Sequence, residues 1–390
     1  MGRRYDIAKR IGNTGFGDVF LGTTEIDPDD VVHVELVHRQ YARTIDLEAL
    51  REAVARTNAA SDHPGVVVPV GLTSVQGRAG IVTRPIEGIA LGSLMVGKPW
   101  PARAALELVA SVADVLDHTW DCARLGAGPL RWAHGDMNPN HIRLQASGAL
   151  MVTGFGYDTA LRPDDEQPDL DSTAVFASLA YMAPERLQGG FSQRVDLYSL
   201  GIILYELVTG ARLAAATSAI DRDEHNKRVD GFVAAAQVAL RSDGGGVAQL
   251  IREMLSHDPM ARPQRFDVAS RARELKASFV DAELAEFAEG AVSSASVAIK
   301  AVGKRRDHML VGLVVRVVEI GPATEDSTLW ATPARPRERI ASGGIVGLDV
   351  PPEQAEAERR RWMIAVAFAC LSVVVFVSAA CGLLASVSRG

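Results

Sequence analysis

The chain has 390 residues and sets 41 Lys and Arg against 48 Asp and Glu, a formal net charge of −7. That balance excludes a nucleic-acid binder working by phosphate neutralisation, and at roughly 150 residues per domain the length allows two or three domains, or one two-lobed domain with extensions. Three cysteines, Cys122, Cys370 and Cys381, are too few for a disulfide framework and fit a reducing compartment.

In chain order, MGRRYDIAKRIGNTG has no apolar stretch of the kind a secretory signal needs. Residues 5–90 read as short strands with one helix. Their β-branched runs are Val31–Val37, Val66–Val70 and Gly80–Thr83. The helix, Leu47–Ala60, stops before the turn His63-Pro64-Gly65. From Pro101 the pattern turns helical, with amphipathic stretches at Ala102–Leu125 and Leu197–Thr209, the second closing on Gly210. This helical lobe ends near Leu275, with helical sequence continuing through Ala288. Val311–Ile320 (VGLVVRVVEI) reads equally as a strand or a short buried helix. Gly, Pro, Ser and Thr dominate 321–352, which reads as a linker, and a charged helix follows at Glu353–Arg361. There is no repeat at solenoid periods.

The next 27 residues, Trp362–Ser388, carry no charge. About 20 helical residues at ~1.5 Å each cross a ~30 Å hydrocarbon core, so this run is long enough to span a membrane. Arg359, Arg360 and Arg361 precede it, Trp362 stands at the interfacial position, and only Arg389 and Gly390 follow. The positive-inside tendency then places the N-terminal bulk in the cytoplasm, giving a single-pass protein of the inner membrane. The alternative, a buried core helix, seldom runs this long without a charge.

Chemistry-bearing motifs appear in a fixed order. First comes Gly12-Asn13-Thr14-Gly15-Phe16-Gly17, where glycines let backbone N–H groups approach phosphates. Then come His134-Gly135-Asp136-Met137-Asn138-Pro139-Asn140-His141, Gly154-Phe155-Gly156, Ala183-Pro184-Glu185, Asp196-Leu197-Tyr198-Ser199-Leu200-Gly201 and Asp258-Pro259-Met260-Ala261-Arg262-Pro263. This order and spacing resembles the eukaryotic-like protein kinase family, above all bacterial membrane-linked Ser/Thr kinases, over residues 5–275.

The resemblance implies an α+β, two-lobed protein-kinase-like fold. It has a β-rich N-lobe at about 5–90 and a helical C-lobe at about 91–275. A helical extension and juxtamembrane linker follow at 276–361, then one C-terminal transmembrane helix at 362–388. It implies structural roles for Glu185 paired with Arg262, for Asp196 bracing the catalytic-loop backbone, and for His134 and Phe155 stacked between the lobes. It also implies a nucleotide pocket lined by Gly12, Gly15, Gly17, Val19, His33, Glu35, Glu52, Thr83 and Gly154.

The catalytic positions depart from the family's pattern. The third strand of the family carries a Lys that holds the α- and β-phosphates, and here it reads Val32-His33-Val34-Glu35. A carboxylate at Glu35 repels a triphosphate and the nearest helix carboxylate, Glu52; no lysine occurs between Lys9 and Lys98. His33 stands where an alanine lies flat against adenine. Gly154 and His141 replace the Asp and Asn that hold Mg²⁺, a cation that needs hard oxygen ligands. Asn138 replaces the loop Lys, while Asp136 keeps the base position as a remnant. Ala177-Ser178 replaces a Gly-Thr substrate-binding pair. Gly135 replaces the Arg that receives a phosphorylated activation-segment residue, so Thr159, Ser172, Thr173 and Ser178 lack that acceptor.

The reading that follows is a membrane-anchored pseudokinase that scaffolds or allosterically regulates a cytoplasmic protein partner. It has no metal site and no cofactor, and it contacts the bilayer through 362–388. The alternative is a divergent active Ser/Thr kinase using ATP and Mg²⁺, with a cation recruited from Arg39 or Arg43. A third class, a structural membrane protein with the domain as a rigid spacer, predicts no specific partner.

Overall fold

The computed structural model describes residues 3–320 apart from 15, 25–26, 28, 40–44, 125–127, 161–178, 188–189, 191, 214–216, 303–309 and 311–312. The linker, the charged helix and the apolar run 362–388 lie outside the described residues, as do Ser172, Thr173 and Ser178. Among the described residues no helix is long and apolar enough to cross a membrane.

The first lobe is an antiparallel sheet of β1 (Arg4–Asn13), β2 (Gly17–Thr23), β3 (Val32–Val37), β4 (Pro69–Val75) and β5 (Arg78–Thr83), with α1 (Leu47–Ala59) between β3 and β4. Alternation along β3 divides its side chains between two faces. Val32, Val34 and Leu36 enter an apolar cluster with Tyr5, Ile7, Phe20 and Val82. His33, Glu35 and Val37 share the opposite face, where Val37 joins Leu50, Ala53 and Val54 of α1. Asp46 starts α1 by accepting hydrogen bonds from the amides of Glu48 and Ala49 (3.1 and 3.2 Å).

The second lobe opens with β6 (Ile89–Ala90), α2 (Leu91–Leu94), α3 (Ala102–Asp121) and the pair β7 (Ala123–Arg124) and β8 (Gly128–Pro129). A tight turn at Pro139–His141 leads into β9 (Ile142–Leu144) and β10 (Leu150–Val152). Helices α4 (Pro184–Leu187), α5 (Val195–Thr209), α6 (Arg222–Leu240), α7 (Gly245–Met254) and α8 (Arg265–Lys276) complete it. Every residue of α5 from Val195 to Val208 is buried, so the stretch expected to be amphipathic has no solvent face: it lies inside the core, its polar groups Asp196, Ser199 and Glu206 each hydrogen-bonded.

Two expectations shift. The β-branched run Val66–Val70 is not itself a strand: β4 begins at Pro69, and Val66 makes only an isolated bridge to Val152. The helix expected to reach Leu125 stops at Asp121.

The larger difference lies beyond Leu275. Helix α9 (Leu284–Val302) and strands β11 (Val314–Arg316) and β12 (Val318–Glu319) belong to the same folded body. Asp281 supplies the start of α3, accepting from the amides of Ala102 (2.6 Å) and Arg103 (3.0 Å), and Phe287 of α9 meets Trp100 at 4.5 Å between ring centroids. The two strands extend the first-lobe sheet at both edges, in the order β11-β1-β2-β3-β5-β4-β12. Val311–Ile320 therefore contains strand, and the extension past Leu275 packs in the same body as the strands and helices before it. Leu310, Val315 and Val317 are fully buried, each burial worth about 1.5–3 kcal/mol of transfer free energy.

Candidate functional site

The structural anchors form one connected frame. The Glu185 carboxylate and Arg262 guanidinium make a two-pronged pair (2.8 and 2.7 Å), with Arg262 buried and Ser192 donating to Glu185 at 2.8 Å. Burial pushes the Glu185 carboxyl up, but Arg262 prevails and holds it below the usual glutamate range. Asp196 accepts from the amides of His134 (2.8 Å) and Gly135 (2.9 Å), which fixes the backbone leading to Asp136. Burial raises the Asp196 carboxyl against those two bonds. The His134 and Phe155 rings lie 4.8 Å apart. Burial, then the neighbouring His141, holds His134 neutral well below the usual histidine range, and its Nε2 meets the Thr153 carbonyl at 2.7 Å.

On this frame β3 comes close to the connector 84–88, through His33 and Ile86, and to the 139–156 segment, through Glu35 and His141; these residues bound the candidate cleft. The Thr14 hydroxyl oxygen accepts from the amides of Phe16 (3.1 Å) and Gly17 (3.0 Å), and the same hydroxyl donates to the Glu35 carboxylate. The glycine-rich turn is thus closed on itself and latched to β3. A Cβ at Gly17 would sit 2.3 Å from the Leu36 carbonyl oxygen, so glycine is required where β2 passes β3. Gly15 lies outside the described residues, and the neighbourhood of Gly12 is open. Phe16 turns inward, buried, with its ring 5.2 Å from Tyr157.

Glu35 lies between Val19 and Ile81 in the sheet register. Burial pushes its carboxyl up, against the Thr14 hydrogen bond and the positive potential of His141 and His38. The folded state therefore favours the protonated acid. That contribution to stability is fully present below the ordinary glutamate value near 4.5 and is lost as pH rises through the raised folded value. Glu35→Gln is expected to unfold at a higher temperature than the wild type at pH 7–8, the gap closing as pH falls toward about 4.5; a series of thermal melts across pH reads this directly.

His33, paired with Thr83 across β3–β5, accepts from the Ile86 amide of the connector at 3.4 Å. Burial and then Arg143 keep its imidazole below the usual range, hence neutral and able to accept at Nδ1. From the opposite side Arg143 of β9 donates to the Gly88 carbonyl at 2.5 Å. Nothing in the sequence marked Arg143, because its role comes from a strand pairing, β6 with β9.

At the expected metal position, His141 and Gly154 explain each other. Gly154 has φ +83°, and a Cβ there would lie 2.5 Å from His141 Nδ1 and 2.6 Å from its Cε1. The imidazole fills the space a side chain at 154 would take. His141 Nε2 lies 3.4 Å from the Asp136 carboxylate and Nδ1 3.3 Å from the Thr153 hydroxyl. Asn138 bonds within its own loop, to the Asp136 carbonyl (3.1 Å) and the Asn140 amide (3.0 Å). Among the described residues no cluster of three or more His, Cys, Asp or Glu is placed to hold a metal. This donor set, an imidazole against a glycine, does not fit Mg²⁺, which takes oxygen ligands.

Glu52 is not part of the cleft. It lies on the exposed face of α1, paired with Arg56 one turn on, while Leu50, Ala53 and Val54 face inward. The repulsion expected between Glu35 and Glu52 has no geometry to act through. Arg39 is exposed, and Arg43 lies outside the described residues.

The chain matches the description "Protein kinase domain" over residues 5–275. Among curated proteins it is 29% identical over 211 residues to the serine/threonine-protein kinase PrkC of Bacillus subtilis, covering 53% of this chain and 30% of that one. It is 27% identical over 213 residues to the serine/threonine-protein kinase PknB of Mycobacterium leprae, covering 53% and 32%. The match thus spans about a third of the length of these relatives. Among solved structures, the PknI kinase domain of Mycobacterium tuberculosis aligns with a TM-score of 0.50 at 20% identity, covering 70% of this chain and 97% of that one, a likeness of fold. With the anchors in place and more than half its length matched, the chain belongs to the protein kinase family.

Proposed function

We propose that this domain is a pseudokinase, held at the inner membrane by 362–388 with its kinase-like body in the cytoplasm, that acts as a scaffold or allosteric regulator of a protein partner. The observation that carries the reading is that side chains of the protein itself take up the groups a nucleotide would use. Thr14 bonds the loop amides of Phe16 and Gly17, His33 bonds the connector amide of Ile86, and the His141 ring occupies the space beside Gly154. Phosphoryl transfer is catalysed by positioning and by cations on the phosphates. A cleft with Glu35 in place of the phosphate-binding ammonium supplies neither.

The retained Asp136 and the named activity of the relatives favour a second reading, a divergent Ser/Thr kinase. The two separate in a transfer assay with labelled ATP, Mg²⁺ and a generic protein substrate. The full chain is expected to label substrate no faster than its Asp136→Asn variant; labelling that Asp136→Asn abolishes would establish the kinase instead.

A further inference from the structure

Strands β11 and β12 are two halves of one extended segment that pairs with opposite edges of the same sheet. Arg316, Val315 and Val314 align with Arg4, Tyr5 and Asp6 of β1, while Val318 and Glu319 align with Leu72 and Gly71 of β4. Val317 between them donates from its amide to the Arg3 carbonyl at 2.9 Å, and the Thr73 hydroxyl donates to the Arg316 carbonyl at 2.6 Å. The segment covers both edges that the five family strands leave open, edges that otherwise present unpaired backbone groups.

The segment ends on α1. Asn58 of α1 donates from its side-chain amide to the Ile320 carbonyl, and Ile320 packs against the apolar cluster that holds Phe16, Leu50, Ala53, Val54 and Tyr157. Phe16 is the residue whose amide Thr14 accepts, and Thr14 is bonded to Glu35. A continuous path of contacts thus joins Ile320 to the latch of the glycine-rich turn through one apolar cluster.

We propose that residues 313–320 form a strap whose docking stabilises the latched turn, so that releasing the strap loosens the bonds of Thr14 to Phe16 and Gly17 and opens the cleft. The strap is the two-state element, paired on both sheet edges or released from them. Because the coupling is a free energy between two sites, it is reciprocal: breaking the latch also loosens the strap. This device is independent of whether the cleft takes a nucleotide.

Hydrogen exchange by mass spectrometry on the full chain tests it with two mild variants, one at each end. Asn58→Ala removes the side-chain tether to Ile320, and Thr14→Val removes the latch, while the amides of buried α5 serve as internal reference. The expected result is exchange faster by roughly 3- to 10-fold at both 313–320 and 14–17 in each variant, with α5 unchanged. Faster exchange confined to the mutated end in either variant would overturn the coupling, and so would Asn58→Ala leaving the strap unaltered.

Discussion

Replacing Arg262 with alanine is expected to destabilise the domain by about 3–5 kcal/mol, the cost of leaving a carboxylate without its partner in a buried pair. The Arg262 side chain is wholly buried and the Glu185 side chain 15% exposed. The arginine also donates to the Ser256 carbonyl (3.0 Å) and the Arg194 carbonyl (3.1 Å), so alanine orphans three acceptor groups at once. Denaturant unfolding of wild type and variant measures the loss. Arg262→Lys is expected to recover little of it, because an ammonium cannot reproduce the two parallel bonds of a guanidinium. A loss below about 1 kcal/mol, the range of exposed ion pairs, would show that the pair is not the tie it is taken to be.

The second large effect concerns His141 and Gly154. Gly154→Asp, which puts an oxygen ligand back at the metal position, is expected to cost about 2–4 kcal/mol, from a left-handed backbone and from overpacking against the imidazole. His141→Asn frees that space. The double variant is then expected to be more stable than Gly154→Asp alone, with a coupling energy of at least about 1 kcal/mol in a double-mutant cycle. Strict additivity would mean that the ring and the glycine are not matched. Residues lost at two family positions would then be independent changes rather than one repacking.

How much of this was legible in the sequence depended on the distance over which each feature is determined. Glu185 and Arg262 lie 77 residues apart, yet each sits in a short ordered motif that marks it. Asp196, His134 and Phe155 are legible in the same way, as is the change of charge at Glu35. Glu52 was misplaced although a signal existed: Leu50, Ala53, Val54 and Thr57 form the buried stripe of α1, and that phase turns position 52 outward. The latch was not legible, since a threonine in a glycine-rich turn reads as an ordinary turn residue until its hydroxyl is seen to take two amides. Arg143 carried no signal at all. Val311–Ile320 stayed open between strand and helix because its partners are far away in the chain; Thr73 and Arg316 are 243 residues apart, and only the edges of the finished sheet decide the conformation.

The proposed pseudokinase reading turns on whether a nucleotide can still bind where Thr14, His33 and His141 make their own contacts. A thermal-shift titration of the full chain with ATP, with and without Mg²⁺, tests it most directly. A ligand at 100 times its dissociation constant stabilises a true binder by ~2.7 kcal/mol, which for a domain of this size raises the melting temperature by roughly 4–5 °C. The account predicts no shift up to millimolar MgATP. A saturable, magnesium-dependent rise in melting temperature would contradict it.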